Sequence, residues 1–62
     1  MSYEKMSGKE YDFWLSAIRK ANEIEDKDSS KAALKAIHMQ LATQHGYSED
    51  VQDLLKKFRY DV

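Results

Sequence analysis

Two histidines, His38 and His45, are the residues of this sequence best suited to acid–base chemistry, because imidazole changes its charge near neutral pH. A catalytic histidine needs an oriented partner, and the sequence shows none. His38 lies on the flank of an apolar helical stripe, which indicates a half-buried structural role, and His45 lies at a helix end, where it suits capping. The chain has no cysteine, and its serines fall mostly at predicted helix caps. We therefore predict that the protein is not an enzyme and has no small-molecule substrate.

The spacings that could bind a metal are incomplete. Residues 26–30 (DKDSS) resemble the start of a calcium-binding loop, which requires glycine at its sixth position and glutamate at its twelfth. Those positions are Lys31 and Ile37. His38 and His45 share a helix face, but two histidines without a nearby third ligand make a weak zinc site. We expect no metal and no cofactor, and the two isolated glycines cannot form a phosphate-binding loop.

The composition is that of a globular domain without a strong electrostatic preference. The 62 residues are 42% apolar and 34% charged, with a net charge of −1, so no basic field attracts nucleic acid or anionic lipid. No stretch approaches the roughly 20 apolar residues that a membrane helix needs, and the polar start lacks the apolar run of a signal peptide. A cysteine-free chain suits a reducing compartment. We expect a cytoplasmic protein with a single domain over residues 1–62 and no membrane contact.

Three predicted helices would position these residues. Proline is absent and the two glycines fall at expected helix boundaries, so the helix interiors contain no breakers. Apolar residues recur at helical spacing over residues 9–24, 30–44 and 49–60. Residues 1–6 are expected to form a loose N-terminal arm. The predicted fold is therefore all-α, a small three-helix bundle.

Each predicted helix has a recognisable boundary residue. Ser7 caps the first helix as part of a capping box. Ser29 or Ser30 is expected to cap the second helix, and Ser48 the third. Gly46 is expected to end the second helix in the left-handed conformation.

The first predicted helix carries more apolar surface than a peripheral helix needs. Its apolar arc spans roughly 200° at about 100° per residue, whereas a helix in a three-helix domain needs only a little over about 100°. Adjacent Phe13 and Trp14 cannot both face the core. Trp14 is the stronger core candidate, because aromatic residues dominate small cores. Phe13, Ala17 and Ile24 would then form an outward patch.

A second outward face lies on the second predicted helix, opposite its core stripe. It consists of small or flexible side chains, namely Ala32, Ala36, Met39 and Thr43. Methionine suits adaptable contacts, although alanine is also simply the best surface helix former. The candidate partner-binding residues are Phe13, Trp14, Ala17, Ile24 and Met39.

These faces predict a protein–protein interaction or regulatory module. The excess apolar surface of the first helix includes aromatic residues, which are enriched at binding hot spots. The partner would be another protein or a second copy of the chain. A short chain without disulfides gains stability from association, so a homodimer formed through the first helix is one version of this hypothesis.

A DNA-binding regulator is the alternative. Residues 41–48 resemble the middle of a helix-turn-helix motif, with an alanine four residues before a turn glycine, then an apolar residue and a serine. The matching residues are Ala42, Gly46, Tyr47 and Ser48. The sequence then departs from the motif, because Gln52 takes the place of a buried residue. Three acids near the start of the would-be recognition helix, Glu49, Asp50 and Asp53, would repel DNA phosphates. The motif formed by the second and third helices is therefore degenerate, and nucleic acid is the less favoured partner.

Overall fold

A computed structural model of the chain describes residues 6–62. It contains three α-helices, α1 (Gly8–Glu23), α2 (Lys27–His45) and α3 (Glu49–Leu55), and no strand within that range. Each helix packs against the other two. The predicted all-α three-helix bundle is thus confirmed. None of these three helices is long and apolar enough to cross a membrane.

Two contacts show that α1 and α2 run antiparallel. Near one end of the pair, the hydroxyl of Ser30 donates a hydrogen bond of 2.6 Å to the carbonyl of Ala21. Near the other end, the ring of His45 lies beside the carboxylate of Glu10. Ser30 is fully buried, so its hydroxyl needs the partner that Ala21 provides.

The boundaries of α1 agree closely with the sequence. The Ser7 hydroxyl accepts a hydrogen bond of 3.2 Å from the amide of Glu10, which is the Ser7 half of the predicted capping box. The helix ends at Glu23, and Ile24 is its extended C-cap residue. The buried residues of α1 are Trp14, Ile18 and Ala21, which lie on one face at helical spacing.

Helix α2 begins three residues earlier than predicted, at Lys27 instead of residue 30. Its cap is Asp26, whose carboxylate accepts a hydrogen bond of 2.8 Å from the amide of Ser29. The prediction that Ser29 or Ser30 caps this helix is wrong, because an aspartate is an equally good cap and lies before them. The hydrogen bond from Ser29 lowers the pKa of Asp26, because it favours the ionised carboxylate.

Gly46 ends α2 with φ 63° and ψ −154°. The predicted positive φ is confirmed, but this ψ lies far from the left-handed helical value of about +47°. The Gly46 amide still donates a hydrogen bond of 3.0 Å to the carbonyl of Ala42. The chain therefore leaves α2 in an extended direction that leads to Tyr47 and the Ser48 cap of α3.

Helix α3 ends at Leu55, whereas the sequence predicted a helix as far as residue 60. Its last turn tightens through hydrogen bonds from Lys57 to Leu54 and from Phe58 to Leu55, which span three residues as in a 3₁₀ turn. Residues 56–62, here the C-terminal segment, then pack against the other helices. Phe58 and Tyr60 of this segment are partly buried against the core. The predicted extension of the third helix to residue 60 is wrong, because Phe58 and Tyr60 pack partly against the core from a non-helical segment.

The core joins all three helices and the start of the described chain. Its fully buried large side chains come from all three helices, namely Ile18 at 1% exposure and Leu34, Leu41, Val51 and Leu54 each at 0%. Met6 is also buried, at 8% exposure. Packing against the core therefore includes Met6, the last residue of the predicted arm. The rest of that arm, residues 1–5, lies outside the described residues.

Tyr11 links α1 to α3. Its hydroxyl donates a hydrogen bond to the carboxylate of Asp53. This bond raises the pKa of Tyr11, with smaller contributions from burial and from the negative charges of Asp53, Asp50 and Asp12. Each effect disfavours an additional negative charge on the phenol oxygen.

Candidate interaction surface

The adjacent aromatic residues of α1 point in different directions. Trp14 is 7% exposed and belongs to the core, whereas Phe13 is 64% exposed. Their ring centroids lie 5.3 Å apart with an angle of 77° between the ring planes, an edge-to-face arrangement that is favourable for aromatic pairs. Trp14 is therefore a core residue with little surface left for a partner, and its ring supports the position of Phe13.

The other two residues of the predicted α1 patch are less accessible than Phe13. Ala17 is half-buried and packs against the core. Ile24 is half-buried at the C-cap of the helix. The outward patch of α1 thus consists mainly of the Phe13 ring.

A groove beside α2 gathers most of the exposed large hydrophobic residues. Of the four in the described chain, three line it: Met39 at 61% exposure, Tyr47 at 59% and Val62 at 37%. Its volume is about 340 Å³. The remaining lining residues are Lys35, His38, Ala42 and Thr43. Met39 is the only predicted site residue in this surface, which we call the Met39 groove.

His38 connects the two walls of the Met39 groove. Its Nδ1 lies 3.1 Å from the main-chain oxygen of Val62, and its Nε2 lies 3.0 Å from the hydroxyl of Tyr47. That main-chain oxygen only accepts, so Nδ1 carries a hydrogen, and in the neutral ring Nε2 accepts from Tyr47. Phe58 packs edge-on against the same ring, with the centroids 6.4 Å apart. His38 is thus half-buried and structural, as predicted.

Asn22 of α1 attaches the C-terminal segment that supplies one wall of the groove. Its side-chain amide donates a hydrogen bond of 3.0 Å to the carbonyl of Lys57 and accepts one of 2.9 Å from the amide of Arg59. The guanidinium of Arg59 also donates to the Asn22 carbonyl, at 3.3 Å. Sequence analysis missed Asn22, because its partners lie 35 and 37 residues away.

Asn22→Ala is expected to loosen the C-terminal segment while leaving the helices folded. The change removes two side-chain hydrogen bonds, each of which contributes about 1 kcal/mol. In amide hydrogen exchange, the amide of Arg59 should lose protection, while Leu34 and Leu41 remain protected. The matched control is Gln40→Ala, which removes an exposed amide side chain of α2. Equal protection of Arg59 in both variants would contradict this role of Asn22.

His45 lies in the last turn of α2, as predicted, but its ring does not make the predicted contact with the carbonyls of the helix end. Its side chain is 10% exposed, and its Nε2 lies 3.4 Å from a carboxylate oxygen of Glu10. Neither ring nitrogen has a hydrogen-bond partner among the described residues. The ring therefore faces α1 from the last turn of α2 instead of bonding the carbonyls at the helix end.

The corner between α2 and α3 has little in common with a DNA-reading unit. Helix α3 has only 7 residues, and its Glu49 and Asp53 side chains are exposed. The Gln52 amide donates a hydrogen bond of 2.8 Å to the carbonyl of Tyr47, so the residue that departs from the helix-turn-helix pattern holds the corner together. Val51, one position earlier, is the buried residue.

Within residues 6–62, no group of three or more potential metal ligands comes together. Comparisons with protein-family models, with curated proteins and with solved structures found no match to this chain.

Proposed function

We propose that this domain is a protein-interaction module that binds a segment of a partner protein in the Met39 groove. The observation that carries the proposal is the gathering, in one concave surface, of three of the four exposed large hydrophobic side chains found in residues 6–62. Scattered exposed apolar residues are normal, whereas apolar side chains gathered in one concave surface are a candidate binding site. We place its action in the cytoplasm, the compartment that the cysteine-free sequence favours.

The polar groups of the groove favour a peptide over a small substrate. A small-molecule site needs several polar groups that converge on the ligand. Here the two ring nitrogens of His38 already bond to Val62 and Tyr47. Lys35 and Thr43 are the polar side chains that remain for a ligand. An apolar wall with few free polar groups suits side chains of a partner segment.

The α1 surface remains the second candidate contact for the same function. Phe13 is the most exposed large hydrophobic residue in the described part of the chain. If the interface lies on α1, a second copy or another protein would bind through this residue. No observation favours the DNA-binding alternative, because the exposed acids of α3 oppose phosphate contact. We therefore propose a protein as the partner and use Phe13 as the test between surfaces.

Met39→Asp is expected to abolish peptide binding, whereas Phe13→Asp should preserve it. The measurement is a selection of random peptides, displayed on their coding nucleic acid, against the immobilised domain, followed by fluorescence anisotropy of the enriched peptides. Loss of a central anchor residue weakens binding by about thirtyfold or more, and a buried carboxylate adds a desolvation cost. The two variants are matched, because both place a carboxylate at an exposed hydrophobic position.

The reverse result would assign the interface to α1 and contradict the groove proposal. Failure to enrich any peptide would also contradict it. Light scattering on the wild-type protein completes the experiment, because concentration-dependent dimerisation that Phe13→Asp removes would support self-association through α1 instead.

A further inference from the structure

Three cations converge on the ring of Tyr60 in the C-terminal segment. The ammonium nitrogens of Lys27 and Lys31 lie 5.7 and 5.9 Å from the ring centroid, and the guanidinium carbon of Arg59 lies 5.3 Å from it. These distances are within the range of cation–π contacts. We call Lys27, Lys31 and Arg59 the Tyr60 cation cluster.

Among the residues that the structure describes, the Tyr60 cation cluster has no anionic partner within 4.0 Å. Among residues 6–62, the one pair of basic and acidic side chains within 4.0 Å is His45 with Glu10. The carboxylates of Asp28 and Asp61 are close in sequence to the cluster, yet neither reaches that distance from its cations. The aromatic ring offsets only part of the repulsion among three like charges, so an added anion would be attracted here.

The cluster and the Met39 groove are parts of one continuous surface. Lys27, Lys31 and Lys35 follow one another at intervals of four residues along α2, and Lys35 lines the groove. Lys31 and Met39 are eight residues apart on α2, which corresponds to about 12 Å along the helix axis. The C-terminal segment spans the same two places, because Tyr60 lies at the cluster and Val62 lines the groove.

We propose that the occupant of this surface is an acidic–apolar segment of a partner protein. Its carboxylates would bind the Tyr60 cation cluster and Lys35, and its apolar side chains would fill the Met39 groove. The 12 Å between Lys31 and Met39 corresponds to about four residues of an extended peptide. This inference rests on the proposed peptide-binding function and adds the charge of the ligand. Phosphates could also bind the cations, but a phosphate backbone cannot fill the apolar groove beside them, and this favours a peptide over a nucleic acid.

The test uses random peptides about twelve residues long, enough in extended form to reach both parts of the surface. Peptides enriched on the wild-type domain should carry Asp or Glu about four residues from Leu, Met or an aromatic residue. Their affinity should fall about fivefold in the Lys27→Gln/Lys31→Gln variant, as expected for the loss of two exposed ion pairs. Arg59 is left unchanged, because it also bonds Asn22.

The matched control is Lys9→Gln/Lys20→Gln, which removes two exposed cations of α1 and alters the net charge equally. It should leave affinity unchanged. Raising the salt from about 0.05 M to about 0.5 M should weaken wild-type binding more than binding by the Lys27→Gln/Lys31→Gln variant, because exposed ion pairs are screened.

Two results would overturn the acidic-ligand inference while leaving the groove proposal intact. In the first, the enriched peptides contain no Asp or Glu, yet Met39→Asp abolishes their binding. In the second, the two lysine double variants have equal affinity. Peptides whose binding is insensitive to Met39→Asp would instead contradict the groove itself. A further result would also overturn the inference. If no acidic peptide is enriched, and a duplex oligonucleotide binds the wild type but not the Lys27→Gln/Lys31→Gln variant, the ligand is a nucleic acid and not a peptide.

Discussion

Leu34→Ala is expected to lower the unfolding temperature of this domain by at least about 10 °C. Leu34 is 0% exposed at the centre of α2, and truncating a buried leucine to alanine costs about 2–5 kcal/mol. A chain of 62 residues has a total stability of roughly 3–9 kcal/mol. One substitution therefore removes a large part of the total, and each kcal/mol shifts the midpoint of a domain this size by about 4–8 °C. Thermal unfolding followed by circular dichroism measures the shift.

Met39→Ala is the matched control on the same helix. Met39 is 61% exposed, so its truncation creates no cavity and should change stability by no more than about 0.5 kcal/mol. Similar shifts for Leu34→Ala and Met39→Ala would contradict the way α2 packs in this fold. The comparison also shows whether Met39 variants can be used in binding experiments without a correction for unfolding.

The sequence predicted the local features of the bundle well. The core stripe of α2 and the cap of α1 follow from helical spacing and from the chemistry of Ser7. The separation of Phe13 and Trp14 follows from geometry alone, because neighbouring side chains on a helix point about 100° apart. These features depend on residues that are close together in the chain.

The features that the sequence did not predict depend on distant residues. Phe58 and Val62 continue the apolar spacing of α3, so a local pattern could not show that the helix stops at Leu55. The segment leaves the helix because Asn22, on another helix, supplies partners for its backbone. Met39 was recognised as an exposed residue, but its companions in the groove come from the α2–α3 corner and the C-terminal segment. His38 holds those companions in place, which the spacing of histidines could not reveal.

Gly46→Ala is expected to destabilise the domain by about 1–3 kcal/mol. At φ 63° and ψ −154°, the backbone lies in a region that essentially only glycine adopts, and other residues pay about 1–3 kcal/mol there. Gly8→Ala should do the opposite. Gly8 begins α1, a Cβ built there meets no atom within 4 Å, and a compatible Gly→Ala change stabilises by about 0.4–1 kcal/mol through the unfolded chain. Chemical denaturation of both variants measures the free energy of unfolding, which should fall for Gly46→Ala and rise for Gly8→Ala.

The variant Gly46→Asn tests whether Gly46 has this extended conformation or the left-handed helical conformation that is common for glycine at a helix end. Asparagine is tolerated at a left-handed C′ position. It is better than alanine only in the left-handed helical region of φ and ψ. Because ψ at Gly46 lies far outside it, Gly46→Asn should be destabilised about as much as Gly46→Ala. The strain should also displace Tyr47, the next residue, and weaken any peptide bound in the Met39 groove. If Gly46→Asn were as stable as the wild type, Gly46 would instead adopt the left-handed helical conformation, and the extended exit of the chain towards Tyr47 would be wrong.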